Sequence, residues 1–246
     1  MRNCSYCDKE VKLTKEHIWP KCLINRMPEL ELKYLDSKKL FFLAEMVISD
    51  VCADCNNTKL SKLDTYFCSL YDTYFKEYHE EKKPFNFIYD YELLLRSLLK
   101  ITYNSSRTVS REGNFLEKFK KFILDGAESS ESIVVKLDII TPALSEEGKF
   151  YPKSARCGTF DVGIITSNFH LRVISVNSFY FYILISNDDL IQENVFSELQ
   201  SLIERIPGTI IHPYKTETFV NNFSRDDAHS IHIDFITRSS EGFIKV

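Results

Sequence analysis

Four of the seven cysteines stand as two Cys-x-x-Cys pairs, Cys4-Ser-Tyr-Cys7 and Cys52-Ala-Asp-Cys55. Each pair presents two sulfurs on a tight turn. Two such turns can close a tetrahedral thiolate shell around Zn2+, a borderline-soft ion that sulfur suits. Residues 8 to 51 separate the pairs, a longer interval than a compact zinc ribbon uses. A shell of four thiolates has no open coordination position, so it staples a fold and performs no reaction. Any chemistry has to come from its neighbours: Glu16-His17 within "LTKEHIWPKC", and Asn56-Asn57 directly after the fourth cysteine. Nothing within those ten residues decides whether His17 is a surface imidazole or a general base with a pKa near neutrality, and a lone Glu-His pair is structural or incidental in most proteins.

The elements around these residues have to hold them. Residues 1 to about 66 are rich in Lys, Asp, Asn and Cys, with one short apolar run at 40–48. A core that thin needs a staple, and zinc would supply one. Aromatics at 66, 67, 71, 74, 75 and 78 fit a helix with an aromatic face, interrupted by Pro84. Residues 90–103 predict an amphipathic helix with Asp90 as N-cap, and 114–124 a further helix closed by Gly126. After a polar loop at Ser129 to Ser132, residues 133–140 predict a strand. Residues 160–186 predict three more, turning near Ser167-Asn168 and Asn177-Ser178. Phe179 to Tyr182 place aromatics on both strand faces, so at least one face is covered by another layer. Asp188 and Asp189 open a helix to about Arg205 that Pro207-Gly208 stop, and 229–237 predict a last strand. The expected fold is α+β: a zinc-stapled module at 1–66, then a helical connector and a C-terminal α/β domain at 67–246 with a largely antiparallel sheet.

Composition limits the function classes. Over 246 residues, 44% hydrophobic and 13% aromatic content is enough for a packed core and excludes a disordered chain. No apolar run is long enough to cross a bilayer and no signal-peptide layout opens the sequence, so a soluble cytoplasmic protein with no membrane partner is expected. In a reducing compartment the remaining Cys22, Cys68 and Cys157 read as buried or partly buried free thiols. Trp19 reads as core, and His79, His170, His212, His229 and His232 carry no motif. The formal charge of −4 gives no overall basic field, so a nucleic-acid binder would need a local one. Residues 96–121 hold Arg96, Lys100, Arg107, Arg111, Lys118, Lys120 and Lys121 against only Glu112 and Glu117. That excess is either a phosphate-binding face or a solvated helix face.

The order C-x-x-C, T-K-E-H-I-W-P, then V-C-A-D-C-N-N-T-K-L-S-K-L-D resembles the HNH endonucleases with a Cys4 zinc around a ββα-metal core. It is similar in layout to phage Holliday-junction resolvases of the endonuclease VII type. The resemblance covers about residues 4–64. It implies Glu16 and Asn56 as ligands of a catalytic Mg2+ or Mn2+, and His17 as the base. Glu16 stands where most members carry Asp, and Ser49 and Asp50 fall nearest to the middle Asn of the motif. On a regular strand neighbouring side chains point to opposite faces, so a bend at 16–17 is needed to aim both at one phosphate. Lys59 and Lys62, three residues apart on the following helix, are candidate phosphate contacts.

Phosphodiester hydrolysis fits these side chains chemically, since water needs a base and the developing charge on phosphorus needs a hard cation with oxygen ligands. The expectation is therefore a metal-dependent nuclease with structural Zn2+, acting on DNA more readily than RNA. A regulatory protein partner and a homodimer are compatible with it. Family analogy adds a role in defence against phage. The competing expectation is a non-enzymatic nucleic-acid or protein adaptor in which zinc only stabilises a degenerate module.

Overall fold

Short strands occupy the first fifty residues of the computed structural model, which describes residues 2–27, 32–35, 40–43, 46–77, 79, 83–108, 114–127, 132–141, 143–144, 150–151, 155–159, 168–187 and 193–221. β1 (Arg2–Asn3) and β2 (Glu10–Val11) pair antiparallel around the first cysteine turn, which Asp8 closes with a left-handed φ of 59°. β3 (Leu13–His17) leads through Pro20 into the short helix α1 (Lys21–Arg26). β4 (Leu32–Leu35) and β5 (Leu40–Leu43) form a hairpin, and β6 (Val47–Cys52) returns to pair antiparallel with β3.

A helical rod follows without a break. Wide π-type turns at Cys55–Leu60 run into α2 (Ser61–Leu70) and end in a second π segment, Tyr71–Phe75. Leu60, Leu63, Phe67, Leu70, Tyr71 and Phe75 are buried along one side, the spacing of an amphipathic helix, as the aromatic pattern predicts. Tyr78 lies outside the described residues.

After β7 (Phe85–Ile88), Asp90 caps α3 (Tyr91–Ser106) by accepting the Leu93 N–H at 2.9 Å. The next predicted helix comes in two pieces, a 3-10 segment at Asn114–Phe119 and α4 (Lys120–Asp125). Gly126, at φ 71°, ends α4 by donating to Phe122 O at 2.8 Å.

The C-terminal part is a five-stranded antiparallel sheet. β8 (Ile133–Ile139), β11 (Ala155–Thr159), β12 (Phe169–Val176), β13 (Phe179–Ser186) and β14 (Thr209–Ile211) lie in the order β11-β12-β13-β8-β14, and β9 (Ala143–Leu144) and β10 (Phe150–Tyr151) form a separate pair. Asn177-Ser178 turn β12 into β13, with Asn177 at φ 49°. On β13, Phe179, Phe181, Ile183 and Ile185 share a cluster with the helices, while Tyr180, Tyr182 and Leu184 pack on Leu199 and Leu202 of α5 (Glu193–Arg205) and on Ile206 just after it. Both faces are thus covered, as the paired aromatics require. β15 (Glu217–Val220) returns to pair with β7.

The strand beside β12 is β11, earlier in the chain than the first of the three strands expected in 160–186; residues 160–167 lie outside the described ones. So do Asp188, Asp189 and 229–237. Residue 66 falls within α2, and one apolar cluster runs from Cys4 to Val220. Among the described residues no helix is long and apolar enough to cross a membrane.

Candidate metal centre and the histidine beside it

The two cysteine turns meet. The ligand atoms of Cys4, Cys7, Cys52 and Cys55 all lie within 4.8 Å of one another. A tetrahedron with Zn–S bonds of about 2.3 Å has edges of about 3.8 Å. The Cys7 and Cys52 sulfurs stand 3.8 Å apart. Backbone N–H groups point at the sulfurs, Cys52 N at Cys4 Sγ (3.3 Å) and Cys55 N at Cys52 Sγ (3.5 Å), as metal-bound thiolates require. Burial pushes the Cys4 thiol up, but donation from the Cys52, Cys7 and Tyr6 backbone outweighs it and brings the pKa down to about 7. Burial and the adjoining sulfurs push Cys55 up, and burial raises Cys7. Four crowded thiols tolerate little negative charge by themselves; a divalent cation is what lets all of them ionise. The group could hold a metal such as zinc, with no position left for a substrate.

β3 and β6 carry the other candidates. Their register shifts once: Thr14 faces Val51 and Glu16 faces Ile48, so Lys15 alone opposes both Ser49 and Asp50. Regular pairing then resumes at Glu16–Ile48 and His17–Val47. The expected bend therefore falls before Glu16 rather than between Glu16 and His17, and those two side chains leave opposite faces of the strand. His17 is half-buried, with its Nε2 shielded from solvent. Asn56 lies on the first turn of the rod and reaches across to β3, donating through Nδ2 to Thr14 Oγ1 (3.1 Å) and Lys15 O (2.8 Å). Thr14 Oγ1 in turn donates to Val51 O at 2.9 Å, so one chain of bonds ties the rod to both strands.

Glu16 points into the protein. It is 3% exposed, and its Oε1 lies 2.6 Å from the ammonium of Lys100, itself 1% exposed; Asn104 Nδ2 donates to the same oxygen at 3.4 Å. Lys100 also pairs with Asp64 on α2. Burial raises the Glu16 carboxyl pKa against the pull of Lys100. It works against the Lys100 charge as well, but Asp64 and Glu16 overcome it and hold that ammonium above its ordinary range. A buried ion stays charged only when paired in this way. Glu16 is buried against an ammonium rather than open to a catalytic Mg2+ or Mn2+, and Asn56 bonds β3 through its Nδ2.

Most of the expected phosphate contacts are engaged inside the chain. Lys59 pairs with Asp125 at 2.8 Å, while Lys62 and Lys121 are exposed. Arg107 binds Asp50 at 3.1 Å and lies over the Tyr103 ring at 4.0 Å. Lys118 donates to Ser186 O and Asn187 O, and Lys120 pairs with Asp8 at 2.7 Å and Glu117 at 3.1 Å. Arg96 holds Glu92 and the Leu124 carbonyl at the end of α4. Arg111 lies outside the described residues. These cations join elements to one another, and Lys100 is wholly internal.

Sequence reasoning missed Lys100, Tyr103, Asn104 and Arg107 as one feature. Their spacing of i, i+3, i+4 and i+7 puts them on one side of α3 and the residue that caps it, and that side faces the cysteine module. It also misread Cys22 and Cys68, which are joined by a disulfide rather than free. α1 packs on α2, with Trp19 against Phe67 at 6.3 Å between ring centroids, and brings the two Cα atoms to 6.4 Å, within bridging range. Cys157 is a free thiol whose pKa burial raises.

No family model matches the chain, and neither do any curated proteins or solved structures.

Proposed function

We propose that this chain is an endonuclease of the HNH type that hydrolyses phosphodiester bonds, DNA before RNA, on a module stapled by zinc. One observation carries the reading. The antiparallel pair of β3 and β6 leads directly into a helical rod, the cysteine cluster closes one end of that pair, and Asn56 ties the rod to the strand that ends in His17. In this reading the His17 imidazole takes the proton of the attacking water, and the 3′ oxygen departs from phosphorus. A divalent cation would neutralise the phosphate charge in such a reaction, and Glu16 is occupied by Lys100.

A second reading follows from the Glu16–Lys100–Asp64 cluster. If that ion pair is the permanent role of Glu16, the module is a zinc-stabilised adaptor that binds nucleic acid or protein without cutting. Nicking of supercoiled plasmid in Mg2+ or Mn2+, by wild type and by His17→Ala, separates the two. The nuclease reading expects cutting by wild type and its loss in the variant. Equal cutting by both removes His17 as the base, and failure to cut either DNA or RNA leaves the adaptor.

A further inference from the structure

The geometry points to Asn104 on α3 as the residue that positions the His17 end of β3, an inference that rests on His17 acting as the base. Asn104 is fully buried, and all four hydrogen-bonding capacities of its carboxamide are used. Nδ2 donates to His17 O at 3.2 Å and to Glu16 Oε1 at 3.4 Å. Oδ1 accepts the Tyr6 hydroxyl at 2.6 Å and Arg107 Nη2 at 3.0 Å. The partners fix which way the amide faces: a guanidinium only donates, and a peptide carbonyl only accepts.

Each partner belongs to a different part of the module. Tyr6 stands between Cys4 and Cys7, the first two sulfurs of the cluster. Arg107 grips Asp50 on β6, at the register shift itself. Glu16 and His17 are the last two residues of β3. One side chain thus refers the His17 backbone to the cysteine turn and to the partner strand. Lys100, one helical turn earlier, fixes Glu16 from the same side. A shift of that strand end would carry the His17 ring with it. Misplacing a catalytic group by about 1 Å can lower a rate about 10²-fold.

Two variants test the role. Asn104→Ala removes the hub, and Tyr6→Phe removes one bond to it while keeping the ring that packs on Tyr103 at 5.1 Å. Each is assayed for zinc content, melting temperature, and kcat and KM for plasmid nicking. For Asn104→Ala a positioning role expects zinc retained, kcat lower by about 10²-fold and KM changed by less than about two-fold. Tyr6→Phe is expected to lose several-fold in kcat at unchanged KM. An unchanged kcat in zinc-loaded Asn104→Ala overturns the proposal. So does a loss of rate that merely tracks loss of zinc or of folded protein. If Asn104→Ala does not fold, Tyr6→Phe decides, and a normal kcat there overturns it. A wild type that cuts nothing removes the base assignment and this role together, whereas an active wild type matched by its Asn104 variant removes this role alone.

Discussion

β13 buries all eight of its residues, none of them charged, whereas β3 buries one of its five, and that one is Glu16. The two strands are held by different forces. β13 lies at the centre of a sheet with apolar layers on both faces, where stability grows with the area removed from water and has no preferred direction. β3 depends on directional contacts: sulfurs at one end, the Thr14–Asn56 chain in the middle, and Lys100 with Asn104 at the other. An apolar layer accepts substitutions that conserve volume, but a buried ion pair fails when either partner is removed. The half of the molecule that carries His17 is therefore the half with less tolerance.

Removing the metal should separate the two regions most sharply. Structural zinc contributes about 10–16 kcal/mol in small domains. Chelation, or Cys55→Ser, is expected to expose 2–60 to limited proteolysis while a fragment containing β8 to β14 persists; loss of both together would erase the distinction. Next is the sheet itself. Phe181→Ala on β13 should lower unfolding free energy in urea by about 3–5 kcal/mol and leave zinc content unchanged. Lys100→Met should cost about 3 kcal/mol through the stranded Glu16, and Lys100→Met/Glu16→Leu should recover most of it. A double variant no better than the single one would show that the ion pair does more than neutralise itself. Opening the Cys22–Cys68 bond with Cys68→Ala should cost about 2–4 kcal/mol, comparable with the ion pair and confined to the α1 side.

What could be read from the sequence followed the same division. Features carried by local pattern were legible: the paired cysteines, the Asp90 cap, the Gly126 stop and the two-faced aromatics of β13. Each depends on residues within a few positions of one another. Lys100 read as part of a basic face because Arg96 and Arg107 stand one and two helical turns from it. Only the fold brings Glu16 and Asp64 to it. Cys22 and Cys68 looked free because no spacing rule links them; the packing of α1 on α2 does. The position of the bend was missed for a related reason. The extra residue belongs to β6, at Ser49-Asp50, and the sequence of β3 carries no trace of it.

The distance in sequence between Tyr6 and Asn104, 98 residues, sets an order of assembly. A ribosome adds about 5–20 residues per second, so Asn104 leaves the exit tunnel about 5–20 s after Tyr6. The four sulfurs are all present once Cys55 has emerged, well before α3 exists. A metal at these sulfurs would thus close the N-terminal turns while the end of β3 still lacks Lys100 and Asn104. During that interval the earliest part of the chain would be anchored at its sulfurs and unfinished at its histidine. A chain stopped after residue 66 would remain in that state.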